Sequence, residues 1–98
     1  MNGAPAMIPL PAQLTLREAG SAMRLLGPAI AQVDTATITM DAAALAQIDS
    51  AVLAVLLECR RQAAARERRF EVVNAPGRLV ELARLYGVQE LLALRAAD

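Results

Sequence analysis

The sequence predicts a small α/β domain with a mostly parallel sheet and three to four helices, and three observations carry that prediction. Two apolar patterns alternate along the chain, one stepping by threes and fours as on a helix face and one stepping by twos as on a strand. They come in the order strand, helix, strand, helix, strand, helix, and strands joined through helices lie parallel with right-handed crossovers. The third observation is size: 98 residues hold one core and no second lobe to close over a substrate.

Residues 1 to 6 are small and polar and are expected to be a flexible tail, with the domain over residues 7 to 95. Met7 to Pro11 reads as a short extended segment whose prolines remove ladder donors, so it belongs at a sheet edge. The Thr15-Leu16-Arg17-Glu18 spacing is that of a capping box and predicts a helix start. Behind it Leu16, Ala19, Met23, Leu26, Ile30 and Val33 form one helical stripe. Gly27-Pro28 interrupts that stripe and predicts a kink or an early end near Pro28, which would lose its bond to Arg24. Thr35 to Met40 alternates Thr with Ala36, Ile38 and Met40 and predicts a strand ending at Asp41.

A loop from Ala42 to Ile48 leads to Asp49-Ser50, and from there Val52, Val55, Leu56 and Cys59, widened by Leu53 and Leu57, predict a second helix running to about Arg68. Phe70 to Val73 is the next strand. Pro76 near the start and Gly87 just past the end bracket a third helix carrying Leu79, Leu82, Ala83 and Tyr86. Val88 to Leu94 is expected to add one helical turn or two.

Hydrophobic types make up 56% of the chain, so it is globular. Ten basic residues, all Arg, balance ten acidic ones, which removes the electrostatic case for nucleic acid or an anionic membrane as main partner. Phe70 and Tyr86 are the only aromatics, leaving little on which bases or sugars could stack. Cys59 is the single cysteine and there is no histidine, so no internal disulfide and no zinc or haem site is expected. The first ten residues lack the layout of a signal peptide, and the run Ala51 to Leu57 is far short of a membrane span, so the expected place is the cytoplasm.

Without histidine no catalytic triad can be assembled, and Ser50 has no lysine to act as its base. No phosphate-binding glycine loop is present, so nucleotide binding has no support. Asp41 and Asp49 both fall near strand ends and are conceivable as an acid and base pair. Each reads more simply as a turn or cap residue, and no catalytic residue, metal ligand or cofactor is assigned. Cys59 lies on an apolar stripe and reads as an inert core thiol. Arg60, Arg61, Arg66, Arg68 and Arg69, interleaved with Glu58, Glu67 and Glu71, read as a solvated helix end or as an anion site, the former being preferred.

The segment from Met40-Asp41-Ala42 through Gln47-Ile48-Asp49-Ser50-Ala51-Val52-Leu53 to Leu57 resembles the STAS family. In that family a strand ends in an I-D-L-S-x-L-like turn, and V-D-S-S-G-L or V-D-T-G-G-L then opens a leucine-rich helix. Leu10-Pro11-Ala12-Gln13-Leu14-Thr15 and Phe70-Glu71-Val72-Val73-Asn74 resemble its flanking segments. Leu82-Ala83-Arg84-Leu85-Tyr86-Gly87-Val88 is similar to the L-A-x-L-Y-x-[VL] run of the Mla-type subgroup. Together these cover roughly residues 7 to 94.

The resemblance implies an anti-sigma factor antagonist-like fold and a non-catalytic role as a small subunit of a phospholipid-transporting ABC system. Such a subunit binds the transporter's ATPase, lies peripherally at the inner membrane through the complex, and neither inserts into the membrane nor binds a small-molecule substrate. The alternative it implies is a partner-switching anti-sigma factor antagonist or a chemotaxis-linked module. The antagonists are phosphorylated on the second hydroxyl of D-S-S, which here is Ala51; Ser50 matches the first, where Mla-type proteins carry Thr, and its phosphorylation is not expected. Val52 stands where the family has a small residue, often Gly.

A helix N-terminus also presents unpaired N–H groups to a partner. Ser50 can therefore cap its own helix or bond across an interface. The expected partner-binding residues are Asp49, Ser50, Ala51, Val52 and Leu53, with Tyr86 half in the core and half at the interface.

Overall fold

A computed structural model describes residues 7–97; the tail expected over residues 1 to 6 lies outside them. In chain order the elements are β1 (Met7–Pro9), β2 (Gln13–Leu14), α1 (Ala19–Ala31), β3 (Thr37–Asp41), β4 (Gln47–Ile48), α2 (Ala51–Ala65), β5 (Arg69–Ala75), α3 (Gly77–Leu85) and β6 (Leu94–Ala96). The main sheet has the order β1-β3-β5-β6, and all its pairings are parallel. Spatial order follows chain order, so each crossover moves the chain one strand along in the same direction. With a common right hand, α1, α2 and α3 all lie on one face.

Burial follows that arrangement. Ile38, Met40 and Val72 point to the helical face and are 0% exposed, and they meet Leu26 and Ile30 from α1, Val52, Leu56 and Cys59 from α2, and Leu79 and Ala83 from α3 in one cluster. Each large aliphatic side chain so buried contributes about 1.5–3 kcal/mol. The opposite face is polar. There Thr39 hydroxyl donates to Glu71 Oε2 at 2.7 Å, and Arg95 lies 3.4 Å from the other carboxylate oxygen, so one carboxylate spans three adjacent strands.

Several expectations need correction. α1 does not stop at Pro28 but continues to Ala31. The helix bond lost at Pro28 costs about 3 kcal/mol, whereas carrying Ile30 and Val33, both buried, into the core returns about 1.5–3 kcal/mol each. Leu16 is not on the α1 stripe: it sits in the turn before the helix and is 78% exposed, and Ala22 takes the buried place. The capping residues are engaged in both directions, with Arg17 N–H donating to the Thr15 hydroxyl at 3.3 Å. Thr15 N–H and its hydroxyl both donate to Glu18 Oε1, at 2.8 and 2.6 Å, and hold that carboxyl below its usual range.

The stretch from Ala42 to Ile48 is not all loop, since β4 pairs with β2 in a separate two-stranded parallel sheet. Helix α2 ends at Ala65 rather than Arg68. Glu67 adopts φ 58, and the N–H groups of Glu67 and Arg68 return to the carbonyls of Ala64 and Ala63, closing the helix with a left-handed residue. α3 closes in the same way, with Gly87 at φ 72 and Val88 N–H donating to Ala83 O, as Pro76 and Gly87 lead one to expect. Beyond it Leu92 N–H donates to Val88 O in one helical turn, after which Ala93 at φ 47 redirects the chain into β6, a strand where only further helix is expected.

Candidate functional site

The strands of both sheets deliver their carboxyl ends to one end of the molecule, where the β3–β4 connection, the turn before α1 and the start of α2 meet. Asp49 organises that junction. Its Oδ1 accepts from Ala51 N–H at 2.9 Å, and its Oδ2 accepts from Leu16 N–H at 3.2 Å. One carboxylate thus satisfies an orphan donor of α2 and ties the helix start to the chain entering α1.

Asp49 therefore does the capping that Ser50 could have done. Ser50 has helical φ and ψ, makes no side-chain cap bond and is exposed. Its hydroxyl faces outward from the first turn of α2, with half-buried Ala51 beside it and exposed Ala54 one turn on. These small side chains leave the helix backbone approachable. Leu16, anchored through its amide to Asp49, adds an exposed apolar residue to the same junction. Assigning Leu16 to a core stripe missed this; the clue lay in the Thr15–Glu18 turn, which puts Leu16 ahead of the helix.

Val52 and Leu53 belong to the same turn but not to its surface, being 0% and 5% exposed. Val55 and Leu56 are buried as well and Leu57 partly so, which makes the apolar arc of α2 internal packing. Val52, the departure from the family's small residue, projects no bulk outward.

Tyr86 is 57% exposed but does not join this cluster. α2 and α3 both start at the carboxyl ends of the strands and run back toward the amino ends. Nine residues of α3 separate Tyr86 from that end by about 14 Å.

Asp41 and Asp49 do not form a joint acid and base pair. Asp41 Oδ1 accepts from Asn74 Nδ2 and from Ala43 N–H, both at 3.0 Å, and these bonds, the Asn74 amide foremost, hold its carboxyl below the usual range. Each carboxylate is engaged in its own turn. Cys59 is 0% exposed, and burial pushes its thiol up to about 12, which suits a core residue and not a nucleophile. Among the described residues no group of three or more His, Cys, Asp or Glu side chains could hold a metal ion, and no helix is long and apolar enough to cross a membrane.

The model of the family described as "Mlab, STAS domain" matches residues 1–94. No curated protein matches the chain. Among solved structures, the fold is similar to that of an anti-sigma-factor antagonist (STAS) domain protein from Planctomyces limnophilus. The TM-score is 0.79 at 13% identity, covering 96% of this chain and 84% of that one.

Proposed function

The chain belongs to the Mlab STAS domain family, and from that premise we propose that it is a non-catalytic subunit that binds the ATPase of a phospholipid-transporting ABC system. The carrying observation is the start of α2. Asp49 supplies the cap, so the exposed Ser50 hydroxyl is left for a partner, on a surface of small side chains at the junction that Leu16 shares. Asp49, Ser50 and Ala51 form the proposed contact. Val52 and Leu53 support it from within the core, and Tyr86 would serve a separate contact at the other end of the domain.

Binding of this kind acts by favouring one arrangement of the ATPase over another, and its effect is bounded by the difference in affinity for the two. The protein would then be cytoplasmic, held at the inner membrane through the complex. Partner switching under a serine kinase is the competing mechanism, and Ala51 at the usual acceptor position weighs against it.

The test is Ser50→Arg. The substituted side chain lies on the surface and removes no cap bond, so stability should stay within about 0.5 kcal/mol of wild type. A charge forced into a desolvated contact costs several kcal/mol, so capture of the ATPase should fall by about a hundredfold or more. A variant that melts like wild type and captures the ATPase fully would exclude the α2 start as the docking site. Stoichiometric phosphate on Ser50 after treatment with a serine kinase would favour partner switching instead.

A further inference from the structure

At the far end of α2 from Ser50 the chain builds a recess of about 370 Å³ lined by Arg60, Ala64, Arg68, Arg69, Phe70 and Leu91. The volume lies at the small end of the range that ligand pockets occupy. Three of the six lining residues are arginines and none is acidic. Of the carboxylates interleaved with these arginines in the chain, Glu58 is committed to Arg61 and Gln62 and Glu71 to Thr39 and Arg95, and the exposed Glu67 is not among the lining residues. Among the described residues, none of Arg60, Arg68 and Arg69 takes part in an ion pair.

Arginines gathered at a helix C-terminus are ordinarily explained by the macrodipole and by bonds to the last carbonyls. That explanation does not suffice here. Among the described residues the only hydrogen bond from any of these three side chains runs from Arg68 Nη1 to Thr35 O at 2.6 Å, on the chain entering β3. This bond ties the Arg68 guanidinium to the chain ahead of β3 and not to a carbonyl of α2. Arg68 itself is half-buried, its Nε is buried with no hydrogen-bond partner, and among the described residues no carboxylate pairs with its guanidinium. An anion beside such a group gains more than one beside a fully solvated cation. Phe70, half-buried, and Leu91, 46% exposed, supply the large apolar side chains of the lining.

We propose that this recess is an oxyanion-binding site, taking the phosphate group of a small ligand that carries an apolar body, with Arg60, Arg68 and Arg69 around the anion and Phe70 and Leu91 against the apolar part. It is independent of the contact at Ser50, from which its nearest lining residue on α2, Arg60, is separated by ten residues of helix, about 15 Å.

Titration of the full chain with inorganic phosphate and with phenyl phosphate, at ionic strength held constant with chloride and followed by backbone amide shifts, tests this. Both probes should give saturable shifts at Arg60, Ala64, Phe70 and Leu91, with phenyl phosphate the tighter. Arg60→Gln with Arg69→Gln, two residues without structural bonds, should raise the dissociation constant at least about tenfold. Arg61→Gln, on the same helix but paired with Glu58, should leave it unchanged. Shifts that do not saturate, or an equal loss in Arg61→Gln, would overturn the proposal. So would phenyl phosphate binding no tighter than phosphate, since the apolar side chains of the lining would then have no role.

Discussion

Replacing Asp49 with alanine removes two hydrogen bonds that the structure resolves separately, and their sum can be worked out in advance. The bond from Ala51 N–H, at 2.9 Å, caps α2, and losing such a cap costs about 1 kcal/mol. The bond from Leu16 N–H is longer, at 3.2 Å, and lies at the surface where water can replace it, so it adds at most about 0.5 kcal/mol. Asp49→Ala should therefore destabilise the protein by about 1–1.5 kcal/mol, which for a domain of this size lowers the melting temperature by roughly 5–10 °C. Ser50→Ala breaks no cap bond and should fall within about 0.5 kcal/mol of wild type. Urea unfolding followed by far-UV circular dichroism reads both. An unchanged slope with a shifted midpoint would confirm that the folded state lost the energy. If Ser50→Ala costs as much as Asp49→Ala, the capping role belongs to Ser50 and the reasoning that leaves its hydroxyl for a partner is refuted.

The Cys59 thiol, raised to about 12 by burial, should resist alkylation at pH 8, where roughly one in 10⁴ would be thiolate, and should react at once in denaturant; labelling of the native protein at the rate of a free thiol would contradict its placement. Asp41, held below its ordinary 3.8 by Asn74 and Ala43, contributes stability above that value and loses it as pH falls through its lower folded value. Asp41→Asn should therefore cost stability at neutral pH and progressively less as pH drops below about 4, and a cost independent of pH would show that the carboxylate's charge is not what these bonds favour.

What could be read from the residues and what could not divide along a physical line. The alternation of Ile38 and Met40 with threonines marks β3, and Pro76 with Gly87 brackets α3, because those signals are local. β2, β4 and β6 are two or three residues long and lack β-branched alternation; they are strands because a neighbour pairs with them, and pairing is not written in the short segment itself. α1 passes Pro28 for a reason equally remote, the burial of Ile30 and Val33 beyond it. The junction around Asp49 and Ser50 was legible as a helix start. Which of the two caps it depends on whether Ser50 or Asp49 holds the non-helical conformation, and that Tyr86 stands at the opposite end follows only once the direction of α3 is known. The three arginines of the recess are interleaved in the chain with Glu58, Glu67 and Glu71, and that none of these carboxylates lines the recess is visible only in the fold.

The placement of β1 and β6 at opposite edges of one parallel sheet bears on how the domain would carry tension. A pull on the chain ahead of Met7 acts at the amino end of β1, and a pull beyond Ala96 acts at the carboxyl end of β6, so the two forces run along the strands in opposite directions. The load reaches each ladder as shear, shared among its hydrogen bonds, instead of opening them one at a time from an end. Pulled between these two points the sheet resists as a whole, whereas the same force applied at the two ends of a hairpin would unzip it.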